Sequence, residues 1–209
     1  MIFIFMNLDP RQILQHPLIY TTYQKIVGGY RARKLFVDND VKPQKGQQIL
    51  DIGCGPGDIL DFLNDVNYVG IDIDSDYISK AKQKYGHKGK FLKGIVDQIN
   101  LNGQKFDTVF SAGVLHHLTD KEVLDLLNFA KKHLKREGIF VSFDGVFIDN
   151  QNKISRYFLK KDRGQYIRTT KQYLSLAEQV FPNVTYSIDE TYFRIPYTSI
   201  IIKCDLSEK

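Results

Sequence analysis

Ile49-Leu50-Asp51-Ile52-Gly53-Cys54-Gly55-Pro56-Gly57-Asp58, followed shortly by Tyr68-Val69-Gly70-Ile71-Asp72, decides the fold of this chain. The first run reads as a hydrophobic strand, a turn crowded with glycine and the start of a short helix; the second reads as a strand ending in a carboxylate. A strand that turns sharply into a helix needs residues without a Cβ, and Gly53 and Gly55 stand at that turn, where a bound group must also approach the backbone closely. Asp72 follows Gly53 near the roughly 20-residue interval at which a second strand presents an acid to ribose hydroxyls. Together these features mark a nucleoside-cofactor pocket. A dinucleotide would want a small residue at position 58, where pyrophosphate meets the helix N-terminus. Asp58 places a negative charge there and disfavours NAD or FAD. Asp51 adds a second carboxylate, suited to a cofactor that carries an ammonium and a sulfonium.

The run resembles motif I of the class I S-adenosylmethionine-dependent methyltransferases, Asp/Glu-x-Gly-x-Gly-x-Gly, with Asp51, Gly53, Gly55 and Gly57 matching position for position. Farther on, Phe106-Asp107-Thr108-Val109-Phe110-Ser111-Ala112-Gly113-Val114-Leu115-His116-His117-Leu118 resembles the family's fourth strand and the loop after it, commonly ending Leu-His-His-Leu. The resemblance covers about residues 45 to 145. It implies a single Rossmann-like, doubly wound α/β domain with a seven-stranded, mostly parallel sheet and a C-terminal antiparallel hairpin. It implies S-adenosyl-L-methionine as cofactor, S-adenosyl-L-homocysteine as product, and no metal. Among the residues it implies are Asp72 as the ribose-binding acid, Ile73 as an adenine-packing residue, and Asp51, Gly53, Cys54, Gly55, Val96, Ser111 and Ala112 as further cofactor contacts. One departure stands out. Gly94-Ile95-Val96-Asp97 replaces the usual Gly-Asp-Ala, so the acid that meets the adenine amino group is missing from its place, and Asp97 substitutes only if the loop is displaced by two residues.

The chemistry the family implies is in-line displacement on an activated methyl, for which proximity, alignment and exclusion of water supply most of the acceleration. A base is needed only when the acceptor must lose a proton. His116 matches the position of a base in small-molecule O-methyltransferases of the class, and an imidazole there suits a hydroxyl proton near neutral pH. The alternative is that His116 serves packing or loop hydrogen bonds. Asp144, at the end of the fifth strand and so on the ligand edge of the sheet, is the other catalytic candidate.

Two segments lie outside the cofactor core (45–145) and are where substrate choice should reside. In residues 9–40, His16, Tyr20, Tyr23 and Val27 share one face of a predicted helix that ends at Gly28-Gly29. This reads as a helical lid, whose aromatic stripe either packs on the domain or lines an acceptor pocket, with Tyr20 and Tyr23 as acceptor contacts. Residues 144–168 form an acceptor-side insertion holding Tyr157, Lys160, Lys161, Asp162, Arg163, Gly164 and Arg168. It is either a solvated loop or a basic site in which Arg163 grips an acceptor carboxylate or phosphate; His117 is placed beside the acceptor as well.

A chain of 209 residues, 43% hydrophobic, suits one domain over 1–209. The net charge of +5 is spread along the chain, and its densest group, Lys80 to Lys93, reads as a solvated helix face or a phosphate patch. Met1 to Met6 is apolar but far short of a membrane span and lacks the basic flank of a signal peptide, so a cytoplasmic location is expected. Cys54 and Cys204, far apart, read as reduced thiols. Ser111-Ala112-Gly113-Val114 has no Asn/Asp-Pro-Pro-Tyr/Phe for a flipped base, and there is no Pro-Cys nucleophile. The expected partner is therefore a small-molecule acceptor, with no nucleic acid and no membrane span, on a monomer or homodimer. An RNA or protein acceptor and a non-catalytic cofactor-binding scaffold remain the alternatives.

Strands are predicted at 48–52, 68–71, 91–96, 108–111, 139–143, 184–188 and 199–205. Helices are predicted from 58 to 63, over 75–85, from a capping box at Thr119 to about Arg136, and from a second capping box at Thr169 to just before Pro182.

Overall fold

A computed structural model describes residues 28–162 and 164–207. Seven strands form one sheet in the order β3-β2-β1-β4-β5-β7-β6. They are β1 (Gln48–Ile52), β2 (Asn67–Asp72), β3 (Gly89–Lys93), β4 (Phe106–Ala112), β5 (Leu134–Gly145), β6 (Asn183–Asp189) and β7 (Ser199–Asp205). The first five pair in parallel, and β7 runs antiparallel to both β5 and β6. This is the expected seven-stranded sheet with its closing hairpin. The helices are α1 (Gly29–Phe36), α2 (Ser75–Tyr85), α3 (Asp120–His133), α4 (Lys153–Lys161) and α5 (Thr170–Glu178).

Alternation along each strand sends side chains to two apolar layers, which is why the parallel strands read as unbroken hydrophobic runs. Leu50, Ile52, Val69, Ile71, Val109 and Phe140 pack with Val123, Leu126 and Leu127 of α3 and Tyr173 and Leu176 of α5. On the other face, Ile49, Tyr68, Phe110, Val141 and Phe143 meet Ala32 and Phe36 of α1 and Ile78, Ala81 and Tyr85 of α2. Both predicted capping boxes form, Thr119 with Glu122 and Thr169 with Gln172.

Three local expectations shift. The turn after the glycine loop is a single 3-10 turn, Asp58–Asp61, not a longer helix; its Asp58 turns to Lys84 (3.1 Å) on α2. Strand β3 begins and ends earlier than expected. Helix α3 stops at His133, because Leu134 already pairs with Phe106 as β5 begins. The helix expected to run up to Gly28-Gly29 falls outside the described residues; Gly28 itself is left-handed (φ 86°) and precedes α1.

Within the predicted lid, residues 29–40 belong to the body of the domain: Phe36 is fully buried, stacked 5.4 Å from Phe143 and edge-on to Phe110. A π-helical turn, Val37–Val41, continues α1 and buries Val37 and Val41. Tyr20 and Tyr23 lie outside the described residues, as does Arg163. Among the described residues, no helix is long and apolar enough to cross a membrane.

Candidate active site

Strand order reverses between β1 and β4, since β2 and β3 lie to one side of β1 while β4 and β5 lie to the other. Ligands of doubly wound sheets bind in the crevice outside the carboxyl ends of the strands at such a point. The two loops that leave those ends are 53–57 and 113–118, and they abut: a Cβ on Gly53 would stand 2.3 Å from Val114 Cγ2. Gly53 and Gly55 both have positive φ (81° and 54°), so the turn needs glycine twice. Around a Cβ built on Gly55 there is open space, which leaves the loop backbone accessible at the crevice.

Asp72 ends β2, beside β1. One carboxylate oxygen accepts the Gly55 N–H (2.8 Å) and the other accepts the Asp74 N–H (2.8 Å), so the acid fixes the glycine loop from the neighbouring strand. Each oxygen keeps a further lone pair. Ile73 follows with two-thirds of its surface exposed, and Ile95, after β3, is exposed too. Val96 begins a 3-10 turn (Val96–Gln98) with Asp97 exposed beside it.

Asp51 lies beneath the loop, buried, and accepts from the Tyr68 hydroxyl at 2.6 Å. Burial pushes its pKa up to about 7 against the pull of that hydrogen bond. Cys54 packs its thiol in the core against Gly70, whose Cβ would stand 2.8 Å from Sγ, and burial raises the thiol's pKa. The side chain of Cys54 is thus a packing group, and only its backbone serves the loop. Ser111 is buried with no partner for its hydroxyl among the described residues, and Ala112 is half-buried at the end of β4.

His116 joins two carboxyl side chains at the 113–118 loop. Its ring lies in the 3-10 turn Leu115–His117, with Nδ1 2.8 Å from Asp144 Oδ1 and Nε2 3.4 Å from Asp162 Oδ1. Burial pulls the imidazole pKa down, but the bond to Asp144 and then that to Asp162 outweigh it and raise the pKa to about 9. Burial alone would push the Asp162 pKa up; donation from His116 instead holds it at about 2. Near neutral pH the imidazole is held protonated between Asp144 and Asp162. Tyr197, between β6 and β7, donates to Asp162 Oδ2 (3.0 Å), while Asp144 Oδ2 is buried without a partner among the described residues. The exposed ring of His117 lies 4.2 Å from that of His116.

The sequence pattern marks His116 and Asp144 but hides two members. Asp162 was submerged in a basic run, and Tyr197 carried no signal because only the fold brings the β6–β7 connection to β5. Arg168, read as part of a basic ligand site, is buried and structural: it donates to the carbonyls of Leu115, Tyr166 and Leu118 and pairs with Asp120 (2.6 Å). It clamps the 113–118 loop. Arg168→Met strips three carbonyls of their donor and is expected to cost about 2–4 kcal/mol of stability. Chemical denaturation measures this; a loss under about 1 kcal/mol would contradict the clamp.

The His116 shift also fixes a pH dependence. Its folded pKa of about 9 lies above the ordinary 6.5, so the stabilisation is complete below pH 6.5 and is lost as pH rises through 9. Its size is at most about 3 kcal/mol. Denaturation midpoints between pH 6.5 and 10 should fall in the native chain and stay flatter in His116→Gln; parallel curves would count against the assignment.

Among the described residues, no group of three or more His, Cys, Asp or Glu is placed to hold a metal. Both cysteines are free and buried.

Residues 49–138 match a family model described as a methyltransferase domain. An uncharacterized methyltransferase of Anoxybacillus flavithermus is 30% identical over 135 residues, 62% of this chain and 59% of that protein. The tRNA U34 carboxymethyltransferase of Campylobacter lari is 30% identical over 152 residues, 61% of this chain and 50% of that protein. A solved TehB-like SAM-dependent methyltransferase from Corynebacterium glutamicum superposes with a TM-score of 0.65 at 20% identity, covering 94% of this chain and 100% of that one, a likeness of fold. The chain spans 50–65% of the length of curated relatives such as these. Residues 49–138 thus match a methyltransferase domain, and the sheet they belong to shares its fold with a solved SAM-dependent methyltransferase.

Proposed function

We propose that this chain transfers a methyl group from S-adenosylmethionine to a small-molecule acceptor. The observation that carries the reading is the tie between Asp72 and Gly55 at the switch point, with open space at Gly55 and the exposed Ile73 beside it. These residues fit the cofactor. Asp72 offers two carboxylate oxygens to a vicinal diol, Ile73 and Ile95 offer apolar surface to a purine, and Asp51, which burial holds at a pKa of about 7, would be drawn to its charged form by a cationic amino-acid portion above it. Gly53, Gly55 and the Cys54 backbone would line the group, with Val96, Ser111 and Ala112 at the neighbouring strand ends.

The bound cofactor supplies a methyl already activated on sulfonium. The chain's own residues then align the acceptor and exclude water. On the acceptor side, Asp144 keeps the His116 ring oriented through Nδ1, and Nε2 is the atom that would exchange a proton with an acceptor. His117 and Arg163 are proposed as acceptor contacts from the adjoining segments, and Tyr20 and Tyr23 from the N-terminal one.

An RNA acceptor is the second reading. It is favoured by the exposed face of α4, where Lys153, Arg156 and Lys160 surround Tyr157, which is 59% exposed. One experiment separates the two: incubation with methyl-labelled donor and fractionated cell extract. Label is expected in the low-molecular-weight fraction. Label confined to RNA would replace the first reading with the second, and label in no fraction would favour the scaffold.

A further inference from the structure

Asp162 occupies the side of the His116 ring that does not meet Asp144. It lies just beyond α4, 3.4 Å from His116 Nε2, the ring atom not committed to Asp144. Two donors hold it, and a third bond ties the residues after it to His116. Tyr197 donates to its Oδ2, the Gly164 N–H donates to its Oδ1 at 2.9 Å, and the Tyr166 N–H donates to the His116 carbonyl at 2.9 Å. Gly164 lies directly on the imidazole, where a Cβ would stand 2.1 Å from Cδ2 and 2.8 Å from the carbonyl oxygen. Asp162, Gly164 and Tyr166 therefore cover His116, leaving it 6% exposed.

We propose that Asp162 is a gating and positioning residue: it holds residues 164–166 shut over His116 and must leave Nε2 before an acceptor's ionisable group can take its place. The proposal rests on the methyltransferase reading for its purpose but not for its geometry. Closed, His116 donates from both nitrogens and has no lone pair for base work. Open, Nε2 becomes available while Asp144 still fixes the tautomer through Nδ1. Charge decides how tightly the gate shuts. The groups around the ring are Asp144 on β5, Asp162 after α4, Tyr197 before β7, Tyr173 on α5, and His117 and Arg168 at the 113–118 loop, with Asp120 paired to Arg168. Loss of the imidazolium proton removes the attraction for Asp162, so the gate loosens as pH rises through the titration of His116.

The test is amide hydrogen exchange of residues 164–168 in the full chain, normalised to intrinsic exchange rates, together with NMR titration of the labelled histidines. In the native chain, the Gly164 and Tyr166 amides are expected to be protected at pH 7 and to lose at least about tenfold of that protection by pH 10. In Asp162→Asn, that protection is lost already at pH 7, its pH dependence disappears, and the His116 midpoint falls by a unit or more. Should the variant fail to fold, the native pH series decides alone. Protection that is independent of pH, or unchanged in Asp162→Asn, would overturn the gate. S-adenosylhomocysteine binding by the native chain reads the cofactor site separately, so failure of the gate and failure of the methyltransferase reading are distinguishable.

Discussion

Asp72→Ala is expected to weaken S-adenosylhomocysteine binding by at least about 100-fold. The carboxylate does two things at once. It accepts the N–H groups of Gly55 and Asp74 at 2.8 Å each, and its remaining lone pairs point to the crevice function of a ribose acceptor. Charge-assisted hydrogen bonds contribute about 1.5–3 kcal/mol each, and losing those to a diol together with the anchoring of the loop exceeds the roughly 2.7 kcal/mol that corresponds to 100-fold. Asp72→Asn keeps one acceptor oxygen and should fall between the two. Gly55→Val attacks the same site by a different route, because a β-branched residue at φ 54° is strained and its side chain would fill the open space at the loop. Isothermal calorimetry checks both. Affinities within threefold of the native chain in both variants would remove the crevice from the account.

His116→Ala is expected to lower stability by about 3–5 kcal/mol, the cost of stripping a buried charge centre of one member. The variant leaves Asp144 and Asp162 facing one another with no cation between them, and Asp144 is 2% exposed. For a domain of this size, the melting temperature should fall by roughly 10 °C or more. Adding Asp144→Asn and Asp162→Asn should recover a large part of the loss, since the repulsion then disappears. A single variant as stable as the native chain, or a triple variant no better than the single, would show that the three groups do not act as one unit.

The cofactor half of the site was legible because its chemistry is local. Glycines that must turn and an acid at a fixed interval appear in one short run, and Ile49 to Asp72 folds much as it reads. The Thr119 and Thr169 capping boxes were legible for the same reason, each being closed within three residues. What failed to read was set by partners distant in sequence. Helix α4 hides among charges, although Asn152 caps it by accepting from Ile154 and Ser155. Arg168 looks like a ligand-binding cation until the fold places three carbonyls around it. Asp162 looks solvated until His116 and Tyr197 arrive from two other elements. Phe36 looks like part of a lid until Phe110 and Phe143 close around it.

The central claim is that the crevice between the 53–57 and 113–118 loops holds S-adenosylmethionine and not a dinucleotide. Calorimetric titration of the native chain with S-adenosylhomocysteine, and in parallel with NAD, tests it most directly. The account predicts saturable one-to-one binding of the nucleoside thioether and no saturable heat with NAD. Saturation by NAD, or no binding of S-adenosylhomocysteine at millimolar concentration, would contradict it.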